Sequence, residues 1–351
     1  MRILYAIQGT GNGHLSRARD IIPILKRKAD VDLLISGTQA DIALPYPVKY
    51  RFEGMGFIFG KKGGVDLLQT YKDLNFKNLM NEINQLPVED YDIVISDFEP
   101  VSSWACLLKN KPCIAFSHQS AVITKGTPQP KKKDLMGIAL LKYYASSTAQ
   151  YSLHFARFTE TMYTPVIRSE VRAMKISDHG HYTVYLPAYD DDVLMEQLSK
   201  FPNIKWEVFS KHNKKAIKKG NVQIWPINNE AFMKSMASST GVLCGAGFET
   251  PAEALFMGKK LMVIPMKHQY EQKCNARTLE YMGIPVIKSL KDKHHAKIQH
   301  WLDKGKVLKV NFPDITEDII DTIILKHYQP KSAPVRPIRE NTRARLQTAS
   351  I

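Results

Sequence analysis

Few features of this chain point to secretion, a membrane span or a metal centre. Four cysteines occur in 351 residues (Cys106, Cys113, Cys244 and Cys274), and their spacing fits no metal pattern. All lie in or beside apolar stretches, the setting of buried free thiols in a reducing compartment. No apolar run approaches the eighteen or so residues that a spanning helix needs. The short apolar run at residues 3–7 leads straight into a glycine loop, so it is no secretory signal. A Gly-Lys-Ser/Thr triplet is missing, which excludes a P-loop. No tandem repeat of roughly 20–50 residues is present.

Acids are also scarce. Asp and Glu number 34 against 49 Lys and Arg, for a net charge of +15. The excess is clustered at Lys125 and Lys131, Lys132 and Lys133, along residues 200–219, and in the tail from 329 to 351. Such patches suit a nucleotide, a nucleic acid or an acidic lipid surface, or form a solvated face. No RNA-binding signature or aromatic–basic interleaving accompanies them, so nucleic acid is not expected. What remains is globular in composition, with 44% hydrophobic and 24% charged residues, and long enough for two domains.

The pattern along the chain alternates strand and helix. Residues 2–7 read as a strand, 8–13 (QGTGNG) as a loop, and 14–28 as a helix with Leu15, Ala18, Ile21, Ile22 and Leu25 on one face. Residues 31–36 read as the next strand, which predicts a parallel α/β sheet. Further strands are expected at 48–52, 91–96, 113–116 and 157–162. Residues 54–64 read as a glycine-rich loop, 66–85 and 102–109 as helices, and 135–154 as one long helix capped by Asp134. Residues 164–180 read as a connector. A second series follows, with strands at 182–186, 204–209, 222–225, 241–244, 261–264 and 286–287, and helices at 191–200, 229–237, 251–257, 293–304 and 315–327. The resulting division is 1–165, connector 166–180, 181–328, and a basic tail 329–351.

Two stretches carry chemistry. In the first, Gly9-Thr10-Gly11-Asn12-Gly13 lies between strand and helix. The run is GxGxG followed by His14, and the second strand ends at Ser36-Gly37 without an acid, so it departs from the dinucleotide fingerprint. His14, at the first turn of a helix, faces a crevice whose dipole opposes its protonation, as suits a general base. The alternative is a capping or packing histidine. The second stretch, 244–276, runs strand, small-residue loop, helix start with Thr250 before Pro251, strand, and polar loop. Free backbone N–H groups and a helix dipole then meet at the carboxyl edge of a sheet, where phosphate binds.

Together the two stretches resemble GT-B glycosyltransferases of the family 28 and family 1 type, the group holding the peptidoglycan lipid-intermediate N-acetylglucosaminyltransferase and the galactolipid synthases. The resemblance is carried by Gly9-Thr10-Gly11-Asn12-Gly13-His14. It is carried more strongly by Gly245-Ala246-Gly247-Phe248-Glu249-Thr250-Pro251-Ala252-Glu253, then Pro265, His268, Gln272, Asn275 and Ala276. It implies two Rossmann-like domains with a cleft between them. It also implies that Glu253 takes the donor's ribose hydroxyls and that Gly245, Ala246, Gly247, Phe248, Glu249 and Thr250 meet the diphosphate. Glu271 and Gln272, with His268 beside them, would read the sugar. Gly11, Asn12 and Gly13 would close over the diphosphate, and His14 would be the catalytic or acceptor-orienting histidine. A glutamate at 271 and a loop one residue shorter than the family pattern leave the sugar open, and residues 187–190 are not the glycine-rich loop expected there.

The chemistry so implied is an inverting transfer from a nucleoside-diphosphate sugar, a uridine one first, to a hydroxyl acceptor. Asp97 and Glu99 are alternative bases. Arg17 and His118 stand on the acceptor side, Arg17 meeting a phosphate or acidic acceptor or else only solvent. No Asp-x-Asp metal motif ends a strand, and Asp190, Asp191 and Asp192 read as helix capping, so helix ends replace a metal ion and no cofactor is expected. The basic loop and apolar helix over residues 125–144 resemble the membrane-facing patch of lipid-acceptor members, or form an ordinary core helix. A cytoplasmic protein, peripheral on the inner membrane face, would follow. Two other readings share these residues. One resembles the nucleotide-sugar hydrolases of nonulosonic acid biosynthesis, which have a like Gly-x-Gly-His…Arg loop. The other is a non-catalytic nucleotide-sugar binding protein.

Overall fold

The computed structural model describes residues 1–37, 43–55 and 75–329. Most of the 54–64 loop, the 66–74 start of the second expected helix, and the tail from 330 lie outside the described residues. The first sheet has seven strands: β1 (Arg2–Gln8), β2 (Asp30–Ser36), β3 (Tyr50–Phe52), β4 (Ile93–Asp97), β5 (Ile114–Ser117), β6 (Ala149–Leu153) and β7 (Met162–Tyr163). Their order is β3-β2-β1-β4-β5-β6-β7, and every pairing is parallel. The second sheet has β8 (His181–Tyr185), β9 (Lys205–Ser210), β10 (Ile217–Lys219), β11 (Val222–Pro226), β12 (Gly241–Gly245) and β13 (Lys260–Ile264). Its order is β10-β11-β9-β8-β12-β13, parallel except at the exposed edge strand β10.

Helices cover both faces of a parallel sheet, so its central strands are buried on two sides and read as continuous apolar runs. Ile3 to Ile7 in β1 and Val242 to Cys244 in β12 are fully buried. Chain order reverses between β1 and β4 in one sheet and between β8 and β12 in the other. Ligands bind outside the carboxyl ends of strands at such switch points. The carboxyl ends of these four strands carry the Gly9 loop, Asp97, the 186–190 loop and the Gly245–Phe248 turn. Two Rossmann-like units therefore form, as expected, and the cysteines are free and buried.

Several expectations are corrected. The helix capped by Asp134, whose side chain accepts from the Gly137 N–H, stops at Tyr143. Ser146-Ser147-Thr148 compete with helical hydrogen bonding, and residues 149–153 pair with β5 as a strand. The strand expected at 157–162 is reduced to Met162–Tyr163. The helix after β12 starts at Glu249, with Phe248 at its cap, and not at Pro251. Pro251 is accommodated because the first N–H groups of a helix have no intrahelical partner. Of the polar loop expected at 268–272, only His268 and Gln269 stay outside a helix; residues 270–272 open the Tyr270–Tyr281 helix. Finally, the Thr316–His327 helix, grouped by sequence with the second half, packs on the first. Lys28 meets Asp321 at 2.7 Å, and the Tyr151 hydroxyl lies 3.0 Å from His327 Nε2.

Candidate active site

Two cavities open between the halves. The larger, about 570 Å³, is bounded by Asn12, Gly13, Arg168, Gly247, Thr250 and Glu253, among others. The smaller, about 260 Å³, is bounded by His14, Arg17, Gln119, His268, Tyr270 and Glu271, among others. Gly13, Phe248 and Glu249 line both and form the wall between them.

His14 sits where the Asn12–Lys28 helix leaves the glycine loop, with Gly11 at the cap in extended backbone. The loop lies against β2. A Cβ on Gly9 would stand 2.9 Å from the Ile35 side chain and 3.0 Å from the Ser36 carbonyl, so only glycine fits. His14 Nδ1 lies 2.9 Å from Asp97 Oδ1. That carboxylate therefore accepts a hydrogen bond from Nδ1–H, which leaves Nε2 with its lone pair toward the smaller cavity. Gln119 Nε2 approaches this atom at 3.4 Å.

Asp97 ends β4 and is fully buried. Arg17, one turn after His14, donates from Nη2 to both Asp97 oxygens at 2.7 Å and from Nη1 to Glu249. Burial pushes the Asp97 carboxyl up, but Arg17 and His14 outweigh it and hold the pKa below its ordinary value. Burial alone would lower the Arg17 pKa; Asp97 and Glu249 hold it above normal. The result is a chain of charge from Glu249 through Arg17 and Asp97 to the imidazole.

Glu249 and Glu253 lie one turn apart on the Glu249–Phe256 helix. Glu253 faces the larger cavity and meets Arg168 in a two-pronged pair, Nε to Oε1 at 2.6 Å and Nη2 to Oε2 at 2.9 Å. Burial raises its pKa and Arg168 opposes the rise. A carboxylate has about four lone-pair sites, so two remain for a vicinal diol.

The remaining sequence candidates separate. Gly245, Gly247 and Thr250 line the larger cavity, whereas Ala246 is buried behind it, its carbonyl accepting from Asn275 Nδ2 at 3.1 Å. Gly11 faces the smaller cavity and Asn12 the larger. Glu271 and Gln272, expected as a pair, part. Gln272 lines the larger cavity, its Oε1 accepting from the Met266 N–H at 2.9 Å. Glu271 lies on the His14 side, 3.3 Å from Gln119 Nε2, with His268 exposed near it in left-handed backbone (φ +59°). His118 is buried and stacked on Phe248, ring centroids 3.8 Å apart, with Nε2 2.7 Å from Asn275 Oδ1. Burial lowers its pKa while Glu271 opposes the change; it touches both halves and edges the smaller cavity.

Glu99 lines neither cavity. It is fully buried and caps the Pro100–Leu108 helix, accepting from the Val101 N–H at 2.7 Å, the Ser102 N–H at 2.6 Å and the Ser36 hydroxyl at 2.6 Å. An acid directly before a proline at a helix start is a cap signal, and this position is better read that way than as a base. Arg168 and Gln119 were not singled out by sequence. Arg168 sits in the segment read as connector, and Gln119 follows His118 at the carboxyl end of β5, the position from which it was accessible. Among the described residues no three His, Cys, Asp or Glu side chains converge as metal ligands, and no helix is long and apolar enough to cross a membrane.

Comparison with known proteins agrees with this geometry. Residues 1–305 match the family model described as Glycosyl transferase family 1. No curated protein matches the chain. Among solved structures, it is similar to MurG of Acinetobacter baumannii, with a TM-score of 0.54 and 13% identity, over 92% of this chain and 98% of that one. It is also similar to UGT89C1 of Arabidopsis thaliana, solved with UDP, with a TM-score of 0.55 and 13% identity, over 93% and 94% of the two chains. A glycotransferase of kitacinnamycin gives a TM-score of 0.56 at 13% identity, over 92% and 93%. At these identities the structures show a shared GT-B fold.

Proposed function

Because the chain belongs to glycosyl transferase family 1, we propose that it moves a sugar, with inversion, from a nucleoside-diphosphate sugar in the larger cavity to an acceptor hydroxyl in the smaller one. Uridine diphosphate sugars are the first donors to test, since UDP accompanies a protein of the same fold. One observation carries the reading. His14, backed by the buried Asp97, lines the smaller cavity, one thin wall from the Glu253 pocket.

His14 Nε2 takes the acceptor proton as the oxygen attacks the anomeric carbon, and the nucleoside diphosphate leaves. Asp97 fixes the tautomer and stabilises the imidazolium as it forms. Glu253 holds the ribose. The glycine turn and the start of the Glu249–Phe256 helix direct N–H groups at the leaving diphosphate, where negative charge grows.

Calorimetric titration of nucleoside diphosphates tests the donor site. Glu253→Gln is expected to weaken binding of the preferred one by about 1–3 kcal/mol, the scale of a lost hydrogen bond to a charged group. Unchanged affinity would refute the ribose assignment. Donor turnover without any acceptor, at an enzyme's normal rate, would replace transfer by hydrolysis with His14 activating water.

The acceptor is proposed to be lipid-linked. The Leu135–Tyr143 helix exposes Leu135 at 77% and Met136 at 62%, separated from Lys131, Lys132 and Lys133 only by its cap Asp134, and its Gly137 and Leu141 edge the smaller cavity. Apolar side chains beside a basic loop suit an anionic membrane surface. Changing the three lysines to glutamine is expected to reduce partitioning onto phosphatidylglycerol vesicles about 100-fold, at about 1 kcal/mol per lysine. Equal partitioning in a sedimentation assay would remove the membrane argument.

A further inference from the structure

We infer that Arg17 is the side chain that binds the donor's diphosphate, and that Glu249, which occupies its remaining face, must give way when the donor enters. The inference rests on the nucleotide-sugar reading above and adds to it a displaceable internal anion.

Arg17 is 1% exposed, yet its guanidinium is incompletely matched. Nη2 is committed to Asp97, Nη1 meets Glu249, and Nε has no partner. An arginine that only held Asp97 in place would not need an unpaired N–H in a dry setting, where each such group is costly. A phosphate offers several oxygens to such a fork.

The two carboxylates on Arg17 differ in kind. Asp97 is fully buried at a strand end and cannot move without the sheet. Glu249 belongs to the opposite half and keeps 21% of its side chain exposed. It reaches Arg17 by crossing Gly13, where a Cβ would stand 3.0 Å from Glu249 Cγ. In this position it fills the gap between the cavities. The anomeric carbon and the acceptor oxygen have to meet across that gap, so Glu249 stands where the reaction must pass.

Its charge suits a helix N-terminus, and for that reason it competes with an incoming anion for the same place. It stands at the first residue of the Glu249–Phe256 helix, beside the Gly247 turn that offers N–H groups to phosphate. A diphosphate entering there adds anionic charge next to the carboxylate. The charged groups facing Glu249 are Arg17, His14 and Asp97 from the first half, Arg168 from the connector, and Glu253 on its own helix. Burial, opposed by Arg17 and reinforced by Glu253 and Asp97, pushes its pKa up to about 7. Glu249 can thus accept a proton from solvent near neutrality, become neutral, and release Arg17 to the phosphate.

The test is calorimetric titration of uridine, thymidine and guanosine diphosphates, and of the matching nucleosides, into wild-type protein and Glu249→Gln. At about pH 8 the variant is expected to bind the preferred diphosphate about tenfold more tightly than wild type, because a competing anion is gone. At about pH 6 the gain should shrink to about twofold or less, since wild-type Glu249 is then largely protonated. Nucleoside affinity should stay unchanged. Arg17→Lys should weaken diphosphate binding and spare the nucleoside. Wild-type binding with no gain in Glu249→Gln, or a gain shared by the nucleoside, overturns the inference and leaves the donor reading standing. Failure of the wild type to bind any diphosphate overturns both.

Discussion

Replacing His14 with alanine is expected to lower turnover about 100-fold or more, the usual weight of a general base, while nucleotide affinity stays nearly constant. The imidazole faces the smaller cavity and lines no part of the larger one, so its loss removes proton transfer without touching the pocket around Glu253, and Arg17 stays paired to Asp97. Asp97→Asn should lose a comparable factor for a different reason. An amide can present its N–H to Nδ1, which moves the ring proton to Nε2 and leaves the base unable to accept. Nucleoside diphosphate release, followed alongside calorimetric affinity, separates the two effects. Full turnover in His14→Ala would rule out His14 as base. Asp97 could then not inherit the role easily, since Arg17 holds both of its oxygens.

The fold was legible because parallel strands buried on both faces write themselves as short apolar runs bounded by polar or glycine-containing loops. β1, β4, β12 and β13 all read this way. What misled was residues 135–154. The apolar helical spacing runs only to Tyr144, the helix ends before Ser146-Ser147-Thr148, and pairing with β5 and β7 makes 149–153 a strand. Local propensity contains no such information, because the partner strands lie elsewhere in the chain.

The candidate site was partly legible for the same kind of reason. His14 and Glu253 stand next to glycines and helix starts, features that short spacing reveals. Arg168 does not. Its neighbours Pro165 and Gly180 suggest a connector, and its meaning lies in Glu253, far along the sequence. Glu271 and Gln272 show the opposite failure. Adjacent in sequence, they fall on different faces of a helix start and so serve different cavities. Reading them as a pair followed from treating 268–272 as a loop. On the proposed assignment of donor and acceptor to the two cavities, the residue to vary for donor sugar preference is Gln272, and Glu271 is the one to vary for the acceptor.

Removing Asp97 is expected to damage the fold as well as the chemistry, and the two losses can be separated. Asp97→Ala leaves Arg17 buried with only Glu249 as counter-charge, and breaking a buried pair from one side costs about 3–5 kcal/mol. Urea unfolding at neutral pH should show the loss as a lower midpoint. The pH dependence has a definite sign. Because its native pKa is depressed, Asp97 stabilises fully above its ordinary value of 3.8, and that contribution fades as pH falls below it through the native value. Wild type and Asp97→Ala should therefore converge in stability in strong acid. The double variant Arg17→Met, Asp97→Leu removes both charges at once, and most of the stability should return, as it does when a buried pair is replaced by apolar groups of similar volume. Its turnover should remain as low as that of His14→Ala, since His14 has lost the carboxylate that orients it. Recovery of activity together with stability would mean that Asp97 only holds the fold. Stability restored without activity would place the Arg17–Asp97 pair in the chemistry, and diphosphate affinity measured on the same variant would separate the two roles: affinity kept assigns the loss to Asp97, which orients the imidazole, and affinity lost assigns it to Arg17.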